Sequence, residues 1–335
     1  MRGRPKTRNA IIAALLAIAT LIGAWIILTD RPTYIALDAH PLDARFISET
    51  RILVVTANHI LMVDGDEVVS SVRPPGFAAD SATISPDGRM AVTTSPQGGM
   101  ELWSLETRQR IFKLAYATNI IDVSWTPTSD YVALLYHGPM RQSVILLGLN
   151  PLRIQRMLAL PHGDPPNRLA LSPDRAWVAL SYYERSTTIV RLSDGTRLAD
   201  LTPPPGRDSA LTWSDDGTVL LSGGHVWKRD HDRLVYQKRL SGPSDVVTAS
   251  AFQPKTACAA LIGGWSPEEP GRESRDRTIY IWDLASTTLL ATLAGQESAG
   301  PAYPSHGLNR LRINPSGTRL VSIDGQGLRL WRLKH

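Results

Sequence analysis

The sequence is poor in cysteine: Cys258 is the single one in 335 residues, which excludes an internal disulfide and any zinc site built on thiolates. It lies in the apolar run ACAALI, where burial is the expected state of a thiol. Ligand spacing is missing as well. His40, His59, His137, His162, His225, His231, His306 and His335 show no His-x-x-x-His interval, so no metal centre is expected. There is no Gly-x-Ser-x-Gly elbow, phosphate loop or dinucleotide fingerprint, so neither a catalytic group nor a cofactor is expected. Asp64 to Glu67, DGDE, reads as an Asp-Gly hairpin and lacks the remaining ligands of a calcium loop. Glu268 and Glu269 are adjacent on a loop, whereas paired-carboxylate catalysis needs two rigidly opposed groups.

A spread-out basic charge is also lacking. Of the formal net charge of +5, Arg2, Arg4, Lys6 and Arg8 supply four, and the near-neutral remainder offers no basic surface for phosphates. Nucleic acid is therefore not an expected partner. After these cations, Ala10 to Leu28 runs 19 residues without a charge. As a helix it spans about 28 Å, close to the hydrocarbon thickness of a bilayer, and it exceeds the apolar core of a signal peptide. Cations before it and Asp30, Arg31, Asp38 and Asp43 after it predict a cytoplasmic N-terminus and an exported remainder. The expected layout is a basic segment over 1–9, a transmembrane signal-anchor over 10–28 and a linker over 29–32. The protein would be single-pass, its exported part periplasmic in a bacterium. A cleaved signal peptide is the alternative, although no small-x-small site directly follows Leu28.

Proline (24) and glycine (25), with no break in composition, point to short elements joined by many turns. The turns recur as tetrads: Ser85-Pro86-Asp87-Gly88, Thr126-Pro127-Thr128-Ser129, Ser172-Pro173-Asp174-Arg175, Ser214-Asp215-Asp216-Gly217, Gln253-Pro254-Lys255-Thr256 and Asn314-Pro315-Ser316-Gly317. Their second positions are 41, 46, 42, 39 and 61 residues apart, and a weaker member, Ser48-Glu49-Thr50-Arg51, lies 37 before the first, which makes seven units. Each tetrad joins two short apolar runs, such as SATI and RMAVTT, as a tight hairpin would. Third strands follow, among them MELWSL, TTIVRL and TIYIWDL, and most units add a fourth such as RIFKL or LLATL. Four short strands per roughly 40 to 45 residues is the period of a propeller blade. The predicted fold class is all-β, a seven-bladed β-propeller of four-stranded antiparallel blades over 33–335, preceded by one N-terminal transmembrane helix. The last unit, LRLWRLKH, lacks a fourth strand, and Thr33 to Asp38, TYIALD, lacks a unit; pairing the two closes the ring and leaves no edge open.

The repeats resemble the WD40 family. In the sixth unit Asp276 stands six before Trp282 and WDL closes the third strand; Gln97 to Trp103 keeps that spacing without the Asp. Trp331 ends a comparable strand, and His306 precedes the last unit near the family's Gly-His position. Most units lack both the Gly-His and the final Asp. The resemblance covers nearly all of 33–335 and implies a rigid platform for protein partners. Trp103, Trp125, Trp177, Trp213, Trp227, Trp282 and Trp331 keep step with the blades and are expected between them, whereas Trp265 does not.

In such a propeller the first strand of each blade runs from top to bottom. The tetrads then line the bottom, and the blade crossings at 73–81, 161–168, 202–209 and 295–307 lie on top. In the sixth unit the stretch from Gly263 to Asp276 replaces a loop of a few residues, and the crossing after it is also long. Together they are expected to bring Trp265, Arg272, Tyr303 and His306 to one sector of the top rim, with Phe77, Tyr183 and Arg168 on neighbouring top loops. Aromatic and arginine side chains on a rigid rim are the makings of a protein-binding site, and a merely solvated loop is the competing reading. Residues 29–32 reach at most about 14 Å, so the bottom is expected to face the membrane. The expected function is that of a membrane-anchored, WD40-like scaffold or assembly factor for protein partners. The alternative is a propeller enzyme or small-ligand sensor with its site in the central channel, a reading to which Asp80, Asp164 and Asp208 in the top crossings contribute.

Overall fold

The computed structural model describes residues 32–333 except 96–98, 115–118, 139–140, 162–163, 183–185, 203–209, 241–246, 254–255, 257, 264–277, 294–310 and 325–326; for 248, 261–263 and 324 it describes the backbone alone. Seven four-stranded antiparallel sheets, six of them hydrogen-bonded in chain order, form the blades of a propeller. Blades 1 to 6 span 41–72, 81–114, 120–159, 166–200, 211–239 and 247–293, and blade 7 takes its inner three strands from 311–332. Its fourth strand is Thr33–Ala36, which pairs antiparallel with the last strand, Thr33 opposite Leu330 and Ala36 opposite Gly327. The ring is thus closed by the two ends of the chain. The closing strand stops at Ala36, two residues short of the expected Asp38, because the chain must turn at 37–40 to reach blade 1.

The inner hairpin turns share one design. In blades 2 to 7 the first tetrad residue donates its backbone N–H to the carbonyl five residues on, as Ser85 does to Met90 and Ser214 to Val219. Its side chain accepts the returning N–H: Ser85 Oγ from Met90, Ser172 Oγ from Trp177, Ser214 Oγ from Val219 and Asn314 Oδ1 from Arg319. Where the third residue is Asp, the Ser hydroxyl donates to it, at 2.6 Å in Ser85–Asp87, Ser172–Asp174 and Ser214–Asp216. The fourth residue takes a left-handed φ, 72° at Gly88 and 59° at Arg175, which glycine adopts without penalty and arginine does not. Blade 1 departs from the expected tetrad. Its turn is one residue shorter and begins at Ile47, whose N–H bonds the Arg51 carbonyl.

The core is a ring of seams. Seven apolar clusters of buried side chains each join one pair of neighbouring blades: Ile52, Val54 and Ile323 between blades 1 and 7, for example, and Leu135, Leu171 and Val178 between blades 3 and 4. Third-strand tryptophans fill the wedge toward the preceding blade, Trp103 against blade 1, Trp227 against blade 4, Trp282 against blade 5 and Trp331 against blade 6. The large rings suit the gap left by two twisted sheets. Trp125 is an exception, only part-buried in the first strand of blade 3, and Cys258 is likewise part-buried in the second strand of blade 6. No helix among the described residues is long and apolar enough to cross a membrane, and residues 10–28 lie outside the described residues.

Candidate functional site: the central channel and its rim

The innermost strands, Pro41–Phe46, Ser81–Ile84, Ile120–Trp125, Pro166–Leu171, Leu211–Trp213, Val247–Phe252 and Leu311–Ile313, enclose a central cavity of about 840 Å³. The last residue of each strand is fixed by its ladder partner: Phe46 opposite Ile52, Ile84 opposite Ala91, Trp125 opposite Val132, Leu171 opposite Val178, Trp213 opposite Leu220, Phe252 opposite Ala259 and Ile313 opposite Leu320. One residue earlier stand Arg45, Thr83, Ser124, Ala170, Thr212, Ala251 and Arg312, and all seven line the cavity. Side chains alternate along a strand, so these equivalent positions form one level of the wall. Below it the second tetrad residues Pro86, Pro127, Pro173 and Asp215 line the bottom mouth.

The wall is stitched between blades by side chains that accept neighbouring backbone N–H groups. Asp43, fully buried, accepts from Ile84 of blade 2 at 2.8 Å and from its neighbour Ala44 at 3.0 Å. Its Oδ1 also lies 3.3 Å from Arg312 Nη2 of blade 7. Asp122 and Ser124 accept from Leu169 and Leu171 of blade 4, at 2.8 and 3.0 Å. Asp215 faces the opposite situation. Solvent reaches it at the mouth, yet the surrounding wall takes away enough water to push its carboxyl above the usual range, against the pull of Arg45. His137 is held below the ordinary imidazole value by burial, in spite of a 3.0 Å contact between its ring nitrogen and the Pro166 carbonyl.

Of the expected contact residues, Arg168 lines the channel rather than standing on the outer rim. Its strand begins at Pro166, so the crossing ends before it. Phe77 is corrected outright. It is 3% exposed and packs edge-on against Trp103 at 4.9 Å, because the crossing folds back over the seam between blades 1 and 2 and buries its one aromatic ring. Trp265, Arg272, Tyr303, His306 and Tyr183 lie outside the described residues, as does Asp208. Asp80 is exposed and lines the channel, whereas Asp164 borders a smaller groove of about 190 Å³ with Tyr182, Thr188 and Arg197. No group of three or more metal-binding side chains gathers among the described residues.

The level of wall carrying Arg45 and Arg312 was not singled out from the sequence. The strand PLDARF reads as an irregular apolar run, and LRI as an ordinary one. The signal is visible only when the seven inner strands are aligned on their last ladder pair, which puts two arginines into a column of otherwise small or hydroxyl residues. The fold defines the class, a closed seven-bladed β-propeller. No family model matches the chain.

Proposed function

We propose that the protein is a WD40-like propeller platform for protein partners, held at a membrane by residues 10–28 and acting as a scaffold or assembly factor on the exported side. The observation that carries the reading is the closing strand. Thr33–Ala36 is locked into blade 7, Thr33 lies toward the end of the disk that carries the tetrads, and an apolar stretch of 19 residues ends five positions before it. A disk closed in this way is rigid, and its connection to that stretch is too short for a free tether. This supports a fixed orientation, bottom toward the bilayer and the Gly263 to Asp276 insertion toward the partner.

Two experiments test the parts separately. Membranes carrying the full-length chain are washed with alkaline carbonate; retention of the protein is expected, and release by the wash sinks the anchor. Crosslinking and affinity capture then compare the full-length chain with a folded variant in which Gly263 to Asp276 is replaced by a Gly-Asn turn. Loss of a defined partner in the variant is expected. Identical captures from both would remove the insertion from the reading.

A further inference from the structure

The near-neutral chain does not spread its charge evenly round the disk. The outer strands of blades 2 and 3, Gln109–Leu114 and Leu152–Ala159, carry Arg110, Lys113, Arg153 and Arg156 and no acid. Those of blades 6, 7 and 1, Thr288–Leu293, Thr33–Ala36 and Glu67–Val72, carry no cation. Cations on an edge strand guard it against pairing with another chain. Guarding alone would have put them on blades 6, 7 and 1 as well, whose edges expose Leu289, Tyr34 and Val69.

The ladder registers sort the side chains of the two strands by face. On blade 3, Met157 stands opposite Ile145 and Ile154 opposite Leu147, and Ile145 and Leu147 pack in the seam toward blade 2. That seam therefore reaches the outer wall as an apolar stripe: Phe112 and Leu114 of blade 2 are part-buried in it, and Ile154 and Met157 are 46% and 58% exposed. The cations belong to the opposite faces. Arg110 and Lys113 lie opposite Trp103 and Glu101, on the side toward blade 1, and Arg153 and Arg156 lie opposite Gly148 and Leu146, on the side toward blade 4. A pair of cations thus brackets the stripe on either side. Arg110 and Lys113 share one carboxylate oxygen, Glu101 Oε1, at 2.9 and 3.3 Å, and keep 45% and 43% of their side chains exposed. Arg156 donates to the Ser193 carbonyl, and Arg153 Nε to the Gln155 amide oxygen at 2.7 Å, both neutral acceptors. Among the described residues no second carboxylate pairs with the four, so the bracket stays positive.

From this arrangement we propose that the outer end of the seam between blades 2 and 3 docks an acidic amphipathic helix of a partner protein. Apolar side chains of the helix cover Ile154 and Met157, and carboxylates on its two flanks meet the cation pairs, which makes an apolar centre within a charged rim. A helix suits the surface better than an added strand, because a bulge interrupts the edge of each blade, opposite Leu102 and Trp103 on blade 2 and opposite Leu146 and Leu147 on blade 3. A lipid surface suits it less, an argument that rests on the anchor proposed above. Blades 2 and 3 lie two and three places round the ring from blade 7, where the apolar stretch joins the disk, and three is the farthest place in a ring of seven. The surface lies on the circumference and is separate from the top rim.

Fluorescence anisotropy of a labelled synthetic peptide, titrated with the full-length chain in non-ionic detergent, tests the proposal whether or not the anchor holds. The peptide forms a helix with one row of leucines flanked on both sides by glutamates, and its counterpart carries lysine at every glutamate. Saturable binding of the glutamate peptide is expected, with a Kd at or below about 100 μM that weakens as salt is raised, and no binding of the lysine peptide in the same range. Ile154→Thr with Met157→Thr, and Arg153→Gln with Arg156→Gln, are each expected to weaken binding by roughly tenfold or more, whereas Leu289→Thr on blade 6 leaves it unchanged. Thermal unfolding is recorded for every variant. Should the arginine pair fail to fold for want of the Ser193 contact, the exposed Ile154 and Met157 pair alone decides. No saturable binding up to about 1 mM, equal binding of the two peptides, or undiminished affinity in the folded Ile154→Thr, Met157→Thr variant overturns the proposal. Flotation of the chain, held in phosphatidylcholine nanodiscs, with phosphatidylglycerol-rich vesicles would, if abolished in that variant, assign the stripe to a lipid surface and overturn it as well.

Discussion

The seam between blades 3 and 4 and the seam between blades 7 and 1 bury similar apolar clusters but are tied in different ways. At the first, the ties are mostly to backbone: Asp122 and Ser124 accept N–H groups, His137 meets the Pro166 carbonyl, and Arg156 donates to the Ser193 carbonyl. At the second, the ties are between side chains, at least one of each pair carrying a charge. Arg312 faces Asp43, and Glu49 accepts from Asn314 at 2.7 Å and from Ser316. The fourth strand of blade 3 is continuous with its own blade through a tight turn, whereas the fourth strand of blade 7 has no covalent link to the three beside it. Side-chain ties thus join blade 1 to the inner strands of blade 7, the blade whose fourth strand comes from the other end of the propeller. Asp43 concentrates this role, since one carboxylate joins blades 7, 1 and 2.

The sharpest way to break the comparison is to remove that carboxylate. Asp43→Ala leaves Arg312 and the Ile84 N–H without it inside the wall and is expected to cost about 3 kcal/mol in chemical denaturation, whereas Asp122→Ala costs about 1 kcal/mol. Equal losses would mean that the two seams are tied alike. Truncation of the cores comes next: Ile35→Ala in the closing strand and Leu171→Ala at the other seam each remove a buried side chain and are expected to cost roughly 2–4 kcal/mol. Only Ile35→Ala should expose the N-terminal end of the ring to limited proteolysis ahead of global unfolding. Simultaneous cleavage in both variants would show that the closing strand opens no earlier than the rest.

Acidification separates the seams more gently. Burial holds His137 and His225 below the ordinary imidazole value, for His225 with the added charge of Arg239, so both favour the neutral form when folded. Their contribution is complete above the unfolded value of about 6.5 and is lost as pH falls through the lower folded values. Burial alone would raise Asp174, but Ser172, the Ala176 N–H and Arg229 outweigh it and leave the carboxyl below its usual range. That contribution is present above about pH 4 and disappears below it. Thermal midpoints of the wild type should therefore fall in two stages on acidification, and His137→Gln with His225→Gln should flatten the first. A first stage unchanged in the double variant would remove both histidines from the account.

The smallest effect concerns a turn. Arg175 occupies a left-handed position that glycine fills in blades 2, 5 and 7, yet its guanidinium lies 4.1 Å from the centre of the Tyr131 ring on blade 3. Relief of backbone strain and loss of the stacking contact oppose each other, so Arg175→Gly is expected to change stability by less than about 1 kcal/mol. A clear gain would show that the contact contributes nothing to the seam.

The period of the tetrads and the unpaired TYIALD run were enough to read seven blades and the closure from the sequence, because hairpin chemistry is local and a missing strand is countable. Recurrence in step with the blades likewise placed six of the seven blade tryptophans in the buried seams. The channel was illegible for the opposite reason. Arg45 and Arg312 are 267 positions apart, and nothing local marks either as a member of one wall; only the ladder registers do so. Phe77 misled because a proline- and glycine-rich crossing reads as exposed, while its single ring had a tryptophan edge to cover.

The strand that closes the ring also sets an order in time. A ribosome makes Thr33 to Ala36 first among the propeller's strands, yet their partners, Gly327 to Leu330, belong to the last of those strands to be made. Until then Ile35 has no seam to enter and stays exposed while the six intervening blades are made. Blades 1 to 6 can form one after another as they emerge, but the circle cannot close before its last strand has emerged. A truncation that removed Gly327 to Leu330 would leave the closing strand without its partner for good.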